Sequence, residues 1–347
     1  MSRSTRWAVI VVAIVVIIAV ALSLRKPQEE IAEVPQEVKL KAAMVTDVGG
    51  LGDESFNDAA YKGLKEAEEK LGFEITVVES KKMDDYEPNL RSLGDQGTDI
   101  SWAVGFLLTD ALDTVAPEYP DLKFGLIDSV VEQPNVASAT FKEEEGSFLL
   151  GVIAAKMTKT GTVGFVGGME VPVIEHFDAG FHAGVLSANP DVKVLRGYTG
   201  KFDDPAKGKE VALAQFNQGA DIIFHASGAC GLGVIEAAKE QGEGFWAMGV
   251  DSCQHHLAPD NVMSCMMKRV DVAVFEVTKR VQDGTFEPKH YIFGLAEDGV
   301  GTCDRTSEHV PEEVLEEVEK YREMIVNGEI VVPASFAELE TFTPPSV

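Results

Sequence analysis

The stretch KLKAAMVTDVGGLGDESFNDAAYKGLKEAEEKLGFEITVVE, residues 39–79, contains a complete strand–helix–strand unit. Its first eight residues, KLKAAMVT, and its last six, EITVVE, are short runs of apolar and β-branched residues of the kind that form buried strands. Between them, apolar residues recur at helical spacing from Ala60 to Leu71, and Gly72 stands where a helix would stop. The stretch therefore predicts two parallel strands joined by a crossover helix.

The same alternation continues along the chain and restarts once. Strands are predicted at 100–104, 123–127, 136–141, 162–166, 193–198, 221–225 and 245–250, and helices at 88–96, 107–116, 144–158, 174–188, 205–218 and 232–241. Such repetition is typical of parallel sheets with helices on both faces. Two runs of it predict an α/β protein with two doubly wound, parallel-sheet lobes. The segment after Asn261 adds the strand VMSCMMK and helices at 270–281 and 311–326, too few for a third lobe.

The chain is therefore expected to form two lobes that exchange segments. The predicted parts are a signal or anchor segment at 1–25, a linker at 26–37, a first lobe from 38–141 with 269–293, and a second lobe from 142–268 with 294–347. The linker is polar and carries Pro27 and Pro35, as flexible connections do. A length of 347 residues agrees with two domains and a terminal appendage.

Residues 7–24 form an apolar stretch whose single polar member is Ser23. As a helix it would be about 27 Å long, which is enough for the hydrocarbon core of a bilayer. Arg3 and Arg6 precede it, in the layout of a signal sequence or an N-terminal membrane anchor. The tripeptide AVA at 19–21 offers a cleavage site, but the apolar run continues beyond it, so an uncleaved anchor is favoured. Either one places the folded body outside the cytoplasm, in the periplasm or at the cell surface.

The charge of the chain restricts its partners. Lys plus Arg number 30 and Asp plus Glu number 57, which gives a formal net charge of −27 at pH 7. Such a surface repels nucleic acid and anionic lipid, and no strongly basic patch interrupts it. We therefore expect no nucleic-acid partner.

Polar and aromatic residues collect at the predicted strand ends. Ligands of open parallel sheets bind beyond the carboxyl ends of the strands. The residues that follow these ends include Asp47, Phe56, Asn57, Asp128, Phe202 and Asp251. Carboxylates accept paired hydrogen bonds from neighbouring hydroxyls, and aromatic faces stack on planar rings, so the set suits a sugar joined to a base without metal or cofactor. The alternative is structural: Ser55 or Asn57 caps a helix, and Phe56 packs into the core.

Catalytic and metal-binding patterns are weak. The chain has no G-x-S-x-G, H-E-x-x-H or Walker motif, and the small-residue turn at 226–233 lacks the lysine of a phosphate loop. His255 and His256, beside Cys253 and Asp251, could form a metal cluster, but adjacent histidines usually point apart, so an exposed loop is favoured. An enzyme such as a nucleoside hydrolase or an α/β reductase would need a positioned nucleophile, base or cofactor loop. We therefore expect a protein that is not an enzyme.

The chain has four cysteines, which are Cys230, Cys253, Cys265 and Cys303. None of their pairs has the sequence spacing of a zinc site. Export permits disulfides, so the cysteines could form one bridge or could be buried free thiols, and the sequence does not decide between the two.

Seven blocks of the sequence resemble the basic membrane protein family, in the same order. They are VTDVGGLGDESFNDAAYKGL, GFVGGMEVPVIEHFDAGFHAG, GKFDDPAKGKEVA, GADIIFHASGACGLGVIEAAKE, GVDSCQ, MMKRVDVAVFE and GLAEDGVG. Members of this family are periplasmic-type binding proteins of ABC transporters and include purine-nucleoside receptors. The resemblance runs from about Leu40 to Pro333. It implies a type I periplasmic-binding-protein fold, with two lobes joined by a hinge.

The resemblance also implies which residues hold the ligand. The implied ligand-binding residues are Asp47, Phe56, Asn57, Asp128, Phe177, Phe202, Gly228, Asp251 and Lys268. Phe56 and Phe202 would stack on the two faces of a base. Asp251 would bind the ribose hydroxyls, and Lys268 would meet the base or the ring oxygen. Gly228 would contribute its backbone, and Phe177, near the hinge, carries the weakest signal.

Three features depart from the family pattern. Cys253 stands where Asp is common, and Cys230 stands where a Gly-rich or Thr-containing turn is common. A disulfide between these two cysteines and a changed ligand preference both stay open. The lipid-bearing cysteine of the family is replaced by the candidate anchor helix.

Taken together, the resemblance implies an extracytoplasmic substrate-binding protein of an ABC importer. It would bind a purine nucleoside, or a similar nucleoside, in the cleft between the lobes, and it would need no cofactor. The expected protein partner is an ABC permease. The N-terminal helix is expected to contact the membrane, and the protein is expected to be a monomer. The alternative is a binding protein or an anchored sensor for a sugar or another small polar metabolite.

Overall fold

The computed structural model describes residues 3–23 and 39–345. Residues Arg3–Ser23 form a helix, α1, and belong to a unit separate from the compact body that begins at Lys39. Among these described residues, no helix is both long enough and apolar enough to cross a membrane. The anchor predicted at the N-terminus is therefore not confirmed, and the predicted linker at 26–37 lies outside the described residues.

The body begins with alternating strands and helices. These are β1 (Lys41–Val45), α2 (Phe56–Leu71), β2 (Glu74–Val78), α3 (Tyr86–Asp95), β3 (Ile100–Ala103), α4 (Thr109–Val115), β4 (Lys123–Ile127) and β5 (Val136–Phe141). The boundaries follow local chemistry. For example, Gly72 ends α2 in the left-handed conformation, at φ 78°, and its N–H bonds the carbonyl of Glu68.

The alternation then restarts and is followed by exchanged segments. The second run is α5 (Glu143–Met157), β6 (Thr162–Gly167), α6 (Pro172–Ala188), β7 (Lys193–Tyr198), α7 (Pro205–Asn217), β8 (Ile222–Ala226), α8 (Cys230–Gln241), β9 (Trp246–Asp251) and β10 (Val262–Lys268). The remaining elements are α9 (Val270–Gln282), β11 (His290–Phe293), β12 (Val300–Thr302), α10 (Glu312–Val326) and α11 (Phe336–Leu339).

The strands form two sheets with matching order. The first reads β2-β1-β3-β4-β5-β11 and the second β7-β6-β8-β9-β10-β12. This confirms the predicted fold of two doubly wound lobes. The chain passes between the sheets after β5, after β10 and after β11. The exact lobe boundaries proposed from the sequence stay a prediction.

Two strands were missed by the sequence interpretation. β11 pairs parallel with β5, whereas β12 pairs antiparallel with β10, so the outer edge of the second sheet departs from the parallel arrangement of its other strands. β12 has only three residues, and β11 is half-exposed, so neither produces the apolar run by which a buried strand is recognised.

Close helix packing joins α5 to α6 in the second lobe. Gly151 of α5 and Gly184 of α6 lie where a Cβ would come 2.1 Å from the Phe181 carbonyl oxygen and 2.0 Å from the Phe148 carbonyl oxygen, respectively. The backbones can approach so closely only because both residues lack a side chain. The pair matters for the site, because α5 begins at Glu143 and α6 carries Phe177.

Candidate functional site

The carboxyl ends of strands from both sheets open onto one cavity. It holds about 540 Å³ of atom-free space, part of which is continuous with solvent. Its lining includes all nine residues implied by the resemblance: Asp47, Phe56, Asn57, Asp128, Phe177, Phe202, Gly228, Asp251 and Lys268. It also includes Asp53, Phe106 and Ser227, which the sequence interpretation did not select. The sheets thus bring the candidates together at the place expected for an open α/β fold.

Two aspartates occupy equivalent places in the two lobes. Asp128 directly follows β4 and Asp251 ends β9, and these strands hold the same position in their sheets. Both residues have left-handed backbone, with φ of 64° and 62°. This conformation is strained for residues other than glycine, and such strain is concentrated at functional sites. The matching geometry identifies both carboxylates as candidates for ligand contact.

Lys268 connects the two lobes through a buried ion-pair network. Its Nζ lies 2.6 Å from Oδ2 of Asp128 and 2.9 Å from Oε1 of Glu143. Burial disfavours the charged form of Lys268, but the nearby carboxylates outweigh this effect and raise its pKa. Lys268 therefore remains a cation, which donates a hydrogen bond to Asp128 and forms an ion pair with Glu143. Glu143 was missed because an acidic residue at the first turn of a helix looks ordinary in a sequence.

Burial also tunes two carboxyls of the cavity. It raises the pKa of Asp47 to about 6, although Asn57 Nδ2 and the Gly49 N–H donate to Oδ1 of Asp47 at 2.8 and 2.9 Å. It raises the pKa of Asp251 to about 7, although Lys268 is nearby and the Ser55 hydroxyl donates to Asp251 Oδ2. Both carboxyls therefore titrate near neutral pH, where contact with a ligand can change their protonation.

The capping part of the structural alternative for the loop at 47–57 is wrong, because Asp53 provides the capping. Phe56, in contrast, does pack against the hydrophobic core, as that alternative expected. The Asp53 carboxylate accepts hydrogen bonds from the backbone N–H groups of Ser55, Asn57 and Asp58 at 3.0, 2.8 and 3.2 Å. The Ser55 side chain makes no capping bond and instead meets Asp251. The Asn57 side chain is thus free to line the cavity, and the Ser55 hydroxyl is free to bond Asp251.

Three buried acceptors in the cavity lack protein partners. Asn57 Oδ1, Asp128 Oδ1 and Ser227 Oγ are buried and have no hydrogen-bond partner within residues 3–23 and 39–345. Leaving a buried polar atom unpaired costs about 1–3 kcal/mol. A ligand with several N–H or O–H donors would remove that cost.

Four aromatic rings share the apolar part of the lining with Val173, Ile174, Ala226 and Val250, and glycines allow two of the rings to approach. A Cβ at Gly105 would lie 3.3 Å from the Phe56 ring, and a Cβ at Gly168 would lie 2.1 Å from the Phe202 ring. Phe106 of the first lobe contacts Phe202 edge to face, with ring centroids 6.4 Å apart. Flat apolar walls and unpaired acceptors therefore face the same space.

Further contacts hold the lobes together beside the cavity. Gln254 Nε2 donates to the backbone carbonyl oxygen of Glu54 at 3.1 Å, and His256 Nε2 lies 3.3 Å from Oε2 of Glu54. Together with the Ser55–Asp251 bond, these contacts describe a closed arrangement of the lobes.

The cysteines combine the two outcomes that the sequence left open, one disulfide and buried free thiols. Cys253 bonds Cys303, with Cα atoms 5.8 Å apart, and Cys230 and Cys265 are buried free thiols. A Cys230–Cys253 bridge is therefore wrong, since the Cys230 thiol instead bonds the Lys201 carbonyl oxygen at 3.3 Å. The exposed-loop interpretation is wrong for His255, which is fully buried, and correct for His256.

Comparisons with known proteins agree on one family. Residues 40–335 match the family described as ABC transporter substrate-binding protein PnrA-like. The chain is 37% identical over 308 residues to Basic membrane protein A of Borreliella burgdorferi, covering 87% of this chain and 90% of that protein. It is 35% identical over 316 residues to the ABC transporter nucleoside-binding protein BmpA of Lactococcus lactis subsp. cremoris, covering 85% and 89%.

Solved structures give the same picture of the fold. A solute-binding protein of an ABC transporter system from Aeropyrum pernix K1 superposes with a TM-score of 0.81 at 30% identity, covering 87% of this chain and 96% of that one. A solute-binding protein from Conexibacter woesei superposes with a TM-score of 0.69 at 22% identity, covering 85% and 99%, and shows the fold alone.

Proposed function

Because the chain belongs to the family of PnrA-like ABC transporter substrate-binding proteins, we propose that it captures a purine nucleoside and delivers it to an ABC permease. The role of this family is binding rather than catalysis. The nucleoside, the permease and a position on the outer face of the cell membrane are the specific parts of the proposal.

The observation that carries the nucleoside is the composition of the cavity wall. Aromatic rings line the same space as three buried acceptors that have no partner in the described part of the chain. A nucleoside offers a planar base for the rings and neighbouring hydroxyl donors for the oxygens. A free sugar would supply the hydroxyl donors but would stack less fully on the aromatic rings. A free base would stack on the rings but would lack the hydroxyl donors.

We assign the contacts as follows. Phe56 and Phe202 enclose the base, and Asn57 uses its unpaired Oδ1 to accept from a base N–H. Asp251 accepts from the ribose hydroxyls. A remaining N–H of Lys268 donates to the base or the ring oxygen. The Lactococcus lactis relative, whose name states that it binds nucleosides, supports a nucleoside as the ligand.

Closure of the lobes is the proposed signal to the permease. Lys268 of the second sheet forms an ion pair with Asp128 of the first, and Gln254 donates a hydrogen bond to the Glu54 carbonyl oxygen. A ligand that bridges the same two walls would add to these contacts and stabilise the closed form. The closed form then presents the docking surface of both lobes in one fixed geometry.

Thermal unfolding of the full chain against nucleosides, free bases and ribose tests the ligand. A ligand of the folded state adds about 2.7 kcal/mol of stability at a hundred-fold excess over its Kd. We expect inosine, guanosine or adenosine to raise the midpoint, and ribose to leave it unchanged. A shift with a sugar and with no nucleoside would keep the fold and replace the nucleoside by the sugar alternative.

The binding role has a separate check. Incubated nucleoside should be recovered intact, with no free base, since the proposal assigns no reacting group to the cavity. Accumulation of free base in proportion to protein, lost in Asp251→Asn, would contradict a pure binding function.

A further inference from the structure

Four sulfur and nitrogen side chains meet beside the ligand cavity. They are Cys253, His255, Cys265 and Cys303, whose ligand atoms all lie within 4.8 Å of one another. Nδ1 of His255 lies 3.5 Å from Sγ of Cys253 and 3.7 Å from Sγ of each of Cys265 and Cys303. The fold, rather than any sequence spacing, collects them from the turn after β9, from β10 and from the end of β12.

The three sulfur–nitrogen distances match those of a tetrahedral zinc site. With Zn–S of about 2.3 Å and Zn–N of about 2.0–2.1 Å, tetrahedral angles place each sulfur about 3.6 Å from the nitrogen. The three observed separations, 3.5, 3.7 and 3.7 Å, lie on either side of that value. Three cysteines with one histidine also form one of the usual ligand sets of structural zinc.

We propose that, with its cysteines reduced, the chain holds one zinc ion between Cys253, His255, Cys265 and Cys303. The Cys253–Cys303 disulfide is then the oxidised, metal-free form of the same site. A thiol reductant supplies two electrons and two protons to open the disulfide and is itself oxidised to a disulfide. Zinc next displaces one proton from each of three thiols, and these protons pass to the solvent, while neutral His255 binds through Nδ1.

The disulfide alone does not account for the cluster. A bridge needs two cysteines, yet the buried Cys265 thiol and the buried His255 ring converge on the same point. The Gln254 N–H donates to Cys265 Sγ at 3.2 Å, a bond that stabilises negative charge on sulfur. Cys230, by contrast, is equally buried and belongs to no metal-competent group in the described residues.

The position of the site gives it a role in ligand capture. The turn after β9 carries two of the four ligands, and it also carries Gln254, which bonds the first lobe at Glu54. Asp251, whose backbone is left-handed, directly precedes this turn. Zinc in the reduced chain and the disulfide in the oxidised chain would each hold the turn in the geometry that closure requires.

Titration with Co²⁺, which takes the place of zinc in tetrahedral sites and absorbs visible light there, tests the proposal. The full chain is reduced with a thiol reductant, the reductant is removed under anaerobic conditions, and the protein is titrated with Co²⁺. We expect one equivalent to produce the tetrahedral, thiolate-bound spectrum and one equivalent of zinc to remove it. Cys265→Ser and His255→Ala should lose the spectrum, and Cys230→Ser, the matched control, should keep it. An absent spectrum in the reduced natural chain, or an equal one in Cys265→Ser, overturns the site.

A second measurement needs no variant. Alkylation of the reduced chain, followed by peptide mass spectrometry, reports the reactivity of each cysteine with and without one equivalent of zinc. Zinc should slow the labelling of Cys253, Cys265 and Cys303 together and leave Cys230 unchanged. Equal labelling rates with and without zinc contradict the proposal.

Discussion

Asp251 combines burial, a left-handed backbone and a hydrogen bond from the opposite lobe. Asn tolerates the same backbone but cannot offer two charged acceptor oxygens. Since hydrogen bonds to charged groups contribute about 1.5–3 kcal/mol, we expect Asp251→Asn to weaken nucleoside binding by roughly 10- to 150-fold in calorimetric titration.

Asp298 supplies the matched control for this change. It also has positive φ, at 52°, but its side chain is 87% exposed and lies outside the cavity. Asp298→Asn should bind with unchanged affinity. Full affinity in Asp251→Asn would show that this carboxylate does not contact the ligand.

Binding should also release protons. Burial raises the pKa of Asp251 to about 7, so at pH 6.5 part of the ligand-free population is protonated. Ribose hydroxyls that donate to the carboxylate favour its charged form and lower that pKa. We therefore expect affinity to rise as pH increases from about 5 to 7 and then to level off. Calorimetry at pH 6.5 in buffers of different ionisation enthalpy measures the protons released, and proton uptake would contradict the assignment.

The ligand-free fold should show the opposite dependence. Because the folded state holds this proton more tightly than the unfolded chain, whose Asp titrates near 3.8, the contribution of Asp251 is greatest at acid pH. It declines as pH rises through about 7. Asp251→Asn should remove this part of the pH dependence of the unfolding free energy.

Single residues divide into those that a sequence can indicate and those that it cannot. Phe56 and Asn57 stand in a recognisable motif at a strand end, so their place in the cavity could be predicted. Asp53 and Glu143 could not, because their roles depend on partners brought in by folding: three backbone N–H groups for Asp53 and Lys268 for Glu143. Cys265 and His255 likewise met Cys303 only through the pairing of β10 with β12.

At the scale of elements, the α5–α6 contact carries the clearest prediction. A Cβ at Gly184 would lie 2.0 Å from the Phe148 carbonyl oxygen, so Gly184→Ala must push the helices apart. Overpacking of this kind typically costs about 1–3 kcal/mol, and we expect the free energy of unfolding in denaturant to fall by at least that amount. Gly301→Ala, where a Cβ meets no atom of the described residues within 4 Å, should change this free energy little. Equal stabilities of the two variants would contradict the packing argument.

Elements were predictable where they were long or wholly buried. The predicted helix at 144–158 is Glu143–Met157 in the structure, one residue away at each end. β11 and β12 were missed because each is formed by pairing with a neighbouring strand, and its own residues show no clear strand pattern. The three residues of β12 are held by register with Met266, Met267 and Lys268, which no local pattern reveals.

At the scale of the whole molecule, the Lys268 network should control closure. Lys268→Met leaves Asp128 and Glu143 buried with no shared cation, which typically costs about 3–5 kcal/mol. We expect a nucleoside to reduce the radius of gyration of the natural body, residues 39–347, in X-ray scattering, and to leave that of Lys268→Met unchanged.

Lys62→Met is the corresponding control. Lys62 pairs with Asp271 at 2.6 Å between α2 and α9, both packed in the first lobe, and its side chain is 67% exposed. This variant should contract on ligand addition as the natural body does. Contraction in Lys268→Met as well would mean that closure does not depend on the buried cation.

The equivalence of the two sheets also determines how the protein can be blocked. One wall of the cavity comes from the first sheet, with Phe56 and Asp128, and the other from the second, with Phe202 and Asp251. A compound must satisfy both walls to draw them together. A compound that fits only one wall would occupy the cleft and keep the lobes open. It would exclude the natural ligand without itself being transported. Such half-fitting molecules would act as competitive inhibitors of uptake.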